Sequence, residues 1–146
     1  MKSLDTNILL YALNADCEEH DRARLLIDTA LGEPDRWIVA DQVYFELYRL
    51  LRNTAVLTTP LSAADAARTI DWYRTRSGWL HCAYDSGLMP RVAGTWESES
   101  FAARTTFDLV LAVTLASNGV DEFHTRNTND FRPFGLFTVR NPIDAE

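Results

Sequence analysis

The chain has little lysine, cysteine, glycine or proline for its 146 residues, and Lys2 is the only lysine among 14 basic side chains. With 21 acidic residues the formal net charge is −7. This excludes a protein that holds nucleic acid simply by being basic, because phosphate contacts need local positive charge. Acids gathered around a divalent metal would belong to the same negative count, so nucleic acid stays open as a partner. The remaining basic residues are all arginine, whose planar fork suits phosphate or carboxylate, or which reflects compositional bias. Two cysteines, Cys17 and Cys82, with no C-x-x-C spacing, indicate neither a disulfide framework nor a zinc site. Long hydrophobic runs are missing too: Ile8–Leu13 spans six residues and follows Asp5 and Asn7, too short for a signal-peptide core or a membrane span. A soluble, cytoplasmic protein is expected. The five prolines are scattered and no repeat or linker interrupts the chain, so residues 1–146 are expected to form a single domain. What is abundant is apolar: 47% hydrophobic residues, with four Trp, supply a core at this length and exclude intrinsic disorder.

Short apolar segments alternate with amphipathic ones. Lys2–Leu4 reads as a strand, followed by capping chemistry at Asp5-Thr6-Asn7 and the apolar run of a helix. Between Glu18 and Leu31, the residues Ala23, Leu26, Ile27, Ala30 and Leu31 share one helical face, and Gly32 with Pro34 supplies the stop. Trp37–Ala40 is a second strand, with Asp41 expected to cap the helix Gln42–Arg52. A helix fits Ser62–Thr75, with Ala63, Ala66, Ala67 and Ile70 on one face. Trp79–Ala83 reads as a strand, and Asp85 is expected to cap a helix reaching Trp96. Thr106–Ser117 is apolar nearly all round, as a helix buried on most sides would be. Asp121–Thr125 is a strand by position, since Glu122 and His124 are polar for a parallel strand, and Leu136–Val139 is the last. This alternation predicts an α/β fold with a mostly parallel sheet flanked by helices, whose ligand site lies beyond the carboxyl ends of the strands.

Four acids share that address. Asp5 follows strand one, Glu46 lies between Val43 and Leu50 on or beside the apolar stripe of its helix, Asp108 sits in the first turn of the apolar helix, and Asp130 lies in the loop after strand four. Each has an ordinary alternative: an N-cap at Asp5, a boundary glutamate paired with Arg49, a dipole-favoured acid at Asp108, and a solvated turn at Asp130. Together, four converging carboxylates would repel one another unless a cation neutralised them. Hard oxygen ligands without clustered His or Cys point to Mg²⁺ or Mn²⁺, and His20, His81 and His124 show no ligand spacing.

Leu4-Asp5-Thr6-Asn7-Ile8-Leu9-Leu10-Tyr11 resembles the opening of PIN-domain ribonucleases, especially the VapC toxins of bacterial toxin–antitoxin pairs. Phe45-Glu46-Leu47, Phe107-Asp108-Leu109-Val110-Leu111-Ala112 and Thr125-Arg126-Asn127-Thr128-Asn129-Asp130-Phe131 are similar to the family's remaining acidic motifs, in the family's order. The resemblance implies a PIN-like three-layer α/β/α fold and metal-dependent cleavage of RNA, tRNA or rRNA being the expected substrates. It also implies neutralisation by an antitoxin of the VapB kind, and homodimerisation. In this reading Asp5 and Asp108 hold the principal Mg²⁺, Glu46 ligates or aligns water, and Asp130 with Asn127 completes the shell, Asn127 standing where many members carry aspartate. Thr6, Asn7 and Thr125 are expected to hydrogen-bond to the ligating acids. Arg126 and Arg132 flank the acidic loop as candidate RNA-phosphate contacts. Trp72, Tyr73, Trp79 and Trp96 are read either as core or as an antitoxin groove.

Other readings are weighed beside it. A haloacid-dehalogenase phosphatase needs a second aspartate where Asn7 stands, and a receiver module needs a late lysine that the chain lacks. A non-catalytic metal- or RNA-binding module, and an RNA-processing nuclease without an antitoxin, stay open.

Overall fold

A computed structural model describes residues 1–144. The described residues form five strands and seven α-helices: β1 (Lys2–Leu4), α1 (Thr6–Leu13), α2 (His20–Gly32), β2 (Ile38–Ala40), α3 (Asp41–Leu51), α4 (Ala63–Arg76), β3 (Leu80–Cys82), α5 (Met89–Trp96), α6 (Thr106–Ser117), β4 (Glu122–His124), α7 (Thr128–Phe131) and β5 (Thr138–Arg140). Strands β1, β4 and β5 form one parallel sheet in the order β1-β4-β5, and β2 pairs with β3 in another. A single parallel bridge between Lys2 and Trp37 joins the two. The result is a short parallel sheet flanked by helices, the expected α/β class.

Burial explains why such short strands hold. Leu4, Val39 and Phe123 are fully shielded from solvent, beneath Ile8, Leu9, Leu47 and Leu115 from the helices. Each large apolar side chain removed from water contributes roughly 1.5–3 kcal/mol. Phe123 packs on Phe131 and Phe137 at ring-centroid distances of 4.8 and 5.2 Å, which ties α7 and the approach to β5 onto β4. The helix α6 is buried on most sides, as its composition predicts, packing on β2 and α5.

Several local expectations are corrected. Asp41 is the first residue of α3 and caps nothing; its carboxylate instead accepts from Arg74 Nε at 2.8 Å, because α4 runs alongside. Asp85 accepts from the Gly87 amide and caps only a 3-10 turn, Ser86–Leu88, before α5 begins with Pro90 in its first turn. On α4, Ala66 is buried, whereas Ala67 and Ile70 line a surface groove against Tyr44, Phe45 and Tyr48 of α3. Of the aromatic cluster, Tyr73 and Trp79 are stacked core residues at 5.4 Å, with Trp79 donating to the Ala30 carbonyl, while Trp72 and Trp96 are exposed. In the polar strand β4 the polar residues pair with each other, although the buried His124 Nδ1 has no hydrogen-bond partner. Glu122 and His124, two apart and so on one face, hydrogen-bond at 2.8 Å, Arg140 pairs with Glu122, and Trp37 covers the imidazole. No helix among the described residues is long and apolar enough to cross a membrane.

Candidate active site

Asp5 is the first residue past β1. Its amide continues the ladder by donating to the His124 carbonyl at 2.9 Å, and its carboxylate caps α1 by accepting the Thr6 amide on Oδ1 at 2.8 Å. The other oxygen, Oδ2, accepts from the Thr125 hydroxyl at 2.7 Å and from Asn7 Nδ2 at 3.4 Å. Thr125 is the residue after β4, the neighbouring strand, so parallel pairing alone brings the two together. Its Oγ1 also accepts from the Asn127 amide at 3.0 Å, and Asn7 Oδ1 accepts from the Arg126 amide at 3.3 Å. Thr6, Asn7 and Thr125 thus act as a frame: Asn7 and Thr125 hold the Asp5 carboxylate, and Thr6 reaches across to α3, donating from its hydroxyl to Glu46 Oε2 at 3.1 Å.

Glu46 corrects its expectation. The side chain lies on the exposed face of α3, at the mouth of the site, and its partner is Thr6, not the Arg49 of the ordinary alternative. Asp108 is half-buried in the first turn of α6, and Asp130 lies in α7 with Oδ1 accepting from Arg104 Nη1 at 2.8 Å.

The charges report their proximity. Asp5 is 8% exposed, and burial pushes its pKa up to about 7, with Glu46 and Asp108 adding to the rise against the Thr125 and Thr6 hydrogen bonds. Asp108 is pushed up to about 6, by burial first and then by Asp130 and Glu46, with Arg104 opposing. Asp108 thus feels both Glu46 and Asp130, and Asp5 feels Glu46 and Asp108.

Asn127 precedes α7 and is exposed, its backbone amide tied to Thr125. Arg126, a candidate phosphate contact, has its guanidinium paired with Glu19 at 2.9 Å and Asp144 at 3.4 Å. Arg132 is exposed on the turn after α7. Two residues escaped the sequence reading. Arg104, four residues before Asp108, clamps Asp130, and Gln42 braces α3 against the start of α6 by donating to the Phe107 carbonyl at 2.9 Å. The basic residue one turn ahead of the Asp-led helix was a usable signal for Arg104; nothing local marked Gln42.

Among the described residues, no three His, Cys, Asp or Glu side chains are grouped so that they could hold a metal ion between them. The donor set still fits a hard divalent cation. Mg²⁺ keeps several waters and takes one or two carboxylates from the protein, and Asp5 and Asp108, raised first by burial and then by neighbouring acids, are carboxylates a cation would relieve.

The PIN-domain family model matches residues 3–133, a span that holds all four acids. The chain belongs to the PIN-domain family. Within it, the chain is 42% identical over 146 residues to the ribonuclease VapC24 of Mycobacterium tuberculosis, covering 100% of this chain and 99% of that protein. The same fold recurs at low identity in solved structures. VapC20 of M. tuberculosis, described as a sarcin-ricin loop cleaving toxin, superposes with a TM-score of 0.65 at 15% identity, covering 84% of this chain and 87% of that one. VapBC2 from Rickettsia felis, bound to a DNA fragment from its promoter, gives 0.66 at 15% identity, covering 96% and 97%. As a PIN domain of the VapC group, the chain has its acids at the edge where the fold places ligands.

Proposed function

We propose that this protein is a divalent-metal-dependent endoribonuclease and the toxin of a toxin–antitoxin pair, residues 1–146 acting as one nuclease domain. The observation that carries the reading is the convergence of Asp5, Glu46, Asp108 and Asp130 at one sheet edge, with Asp5 and Asp108 raised to about 7 and 6. The relationship to VapC24 supports RNA as substrate. Asp5 and Asp108 hold the Mg²⁺ or Mn²⁺ ion, with Asp130 and Asn127 completing its surroundings. When bound, such an ion lowers the pKa of water and stabilises charge on phosphate oxygens. Thr125, Asn7 and the Thr6 amide hold the Asp5 carboxylate in one orientation, leaving the acid little freedom to lose on binding. Glu46, reaching the site mouth from α3, orients the attacking water and accepts its proton. Arg132, exposed beside the acidic loop, is the phosphate contact this reading retains. An antitoxin of the VapB kind and a second copy of the chain are the expected partners, consistent with the toxin–antitoxin complexes among its structural neighbours.

The test is cleavage of end-labelled tRNA and rRNA by purified protein with Mg²⁺, Mn²⁺ or EDTA, beside Asp5→Ala and Asp108→Ala. Discrete cuts that require metal and vanish in both variants are expected. Cuts that persist in EDTA, or in either variant at the wild-type rate, would overturn the assignment.

A further inference from the structure

A cavity of about 350 Å³ opens beside the acids, between α5, the segment leading into α6, and the turn after α7. Of the four acids Asp130 lines it, with its partner Arg104, and Asp108 stands next in the chain to the lining residue Leu109, which sets the cavity beside the acidic cluster. Leu109, the residue after Asp108, lies in its wall with Val113. Phe101 and Phe134 also line it, their rings inclined by only 27° with centroids 6.5 Å apart. Arg91, Thr95 and Asn129 supply polar groups around these apolar surfaces. The volume falls within the range of small-molecule clefts, about 300–1,000 Å³.

From this geometry we infer that the cavity is a nucleotide subsite, seating the base of one residue that flanks the scissile phosphate; the inference rests on the ribonuclease reading above. A nucleobase matches the lining in three ways. Its flat faces pack on aromatic rings, its edge carries donors and acceptors for Thr95 and Asn129, and its own phosphate finds Arg91 in a protein otherwise acidic. Continuity with Asp130 places the neighbouring phosphodiester at the carboxylates. A partner helix has a different and more apolar surface available, the α3–α4 groove lined by Phe45, Tyr48, Ala67 and Ile70. Base selectivity therefore resides in α5 and the segment after it, apart from the acids that perform the chemistry.

Two measurements test this. In the first, the four nucleoside 5′-monophosphates are titrated into metal-free protein and backbone amides are followed by NMR. Saturable shifts at Thr95 and Ser98–Ala102, stronger for one base, are expected, with affinity weakened about tenfold in Thr95→Phe, which fills the cavity, and in Arg91→Ala, which removes only a surface charge. No saturable shifts, unchanged affinity in both variants, or shifts that follow protein concentration in place of nucleotide would overturn the subsite. In the second, a randomised single-stranded RNA is cleaved and the cut ends are sequenced. Wild type is expected to prefer one base at one flanking position, and Thr95→Phe to flatten that preference about tenfold while still cutting. Cleavage without any flanking preference would overturn the subsite and leave the nuclease standing. A wild type that cuts no RNA would sink the ribonuclease reading, with the titration still deciding whether the cavity takes nucleotides.

Discussion

An aspartate that accepts from an amide, a hydroxyl and a carboxamide would ordinarily be a strong acid. Asp5 accepts from all three and is still pushed up to about 7, because burial beside Glu46 and Asp108 outweighs them. Its ionised form is thus a strain on the metal-free fold. The sign follows from proton linkage. The unfolded chain loses this proton near 3.8 and the folded protein near 7, so the folded state binds more protons between those values and stability falls as pH rises through them. Asp108, raised to about 6, acts in the same direction. Asp5→Asn keeps the shape and removes the charge. Without metal at pH 8 it is expected to raise stability by roughly 1–3 kcal/mol while abolishing cleavage, the gain fading toward pH 4. Thermal melts of both proteins across pH 4–8 in EDTA check this; a variant less stable than wild type at pH 8 would refute it.

At the scale of elements, the longer helices and the first two strands were legible because their apolar periodicity is local, whereas Thr128–Phe131, read as a polar loop, forms α7. The same locality explains the misreadings. Asp41 and Asp85 sit where caps belong, yet a carboxylate binds whichever donor the tertiary fold offers, and for Asp41 that donor is Arg74 on another helix. Val43 and Leu50 suggest that Glu46 lies near the buried face, but the stripe that is buried is Val43, Tyr44, Leu47 and Leu51, which leaves Glu46 exposed. Asp5, Asp108 and Asp130 stand at strand ends or in first helical turns, which share one edge of a parallel sheet, a rule of topology readable without coordinates; Glu46, in the middle of α3, does not follow from it. Arg104 and Gln42 were not legible, since their partners lie 26 and 65 residues away. Gln42 makes its element-scale role testable. Gln42→Ala removes one exposed hydrogen bond, worth about 0.5–1.5 kcal/mol at most, yet loosens α3 against α6 and with it Glu46 against Asp108. A fall in kcat of about tenfold with nearly unchanged Tm is expected; an unaltered kcat would show that the brace is dispensable.

For the whole molecule, the proposed cation site would make metal binding and folding one equilibrium. A ligand that binds only the folded state stabilises it by about 2.7 kcal/mol at 100 times its Kd, which for a chain of 146 residues is several degrees in Tm. Millimolar Mg²⁺ is expected to raise Tm at pH 8. The rise should shrink toward pH 5, where protons compete for Asp5 and Asp108, and disappear in Asp5→Asn. Calorimetry with and without Mg²⁺ reads all three, and an equal shift in the variant would place the ion elsewhere.

The sheet itself is two plates joined by one rivet, the bridge between Lys2 and Trp37, over which the Lys2 ammonium lies 5.8 Å from the indole centroid. Asp5 and Asp130 belong to the plate of β1 and β4, whereas Glu46 rides on α3, which grows from β2 on the other. Backbone pairing that sparse leaves the join to side chains, Leu4 and Phe123 of one plate sharing a single hydrophobic core with Ile38 and Val39 of the other. The gap between Asp5 and Glu46 is therefore set by the joint, with the Thr6–Glu46 hydrogen bond as its latch, so the span available to a scissile phosphate belongs to neither plate alone.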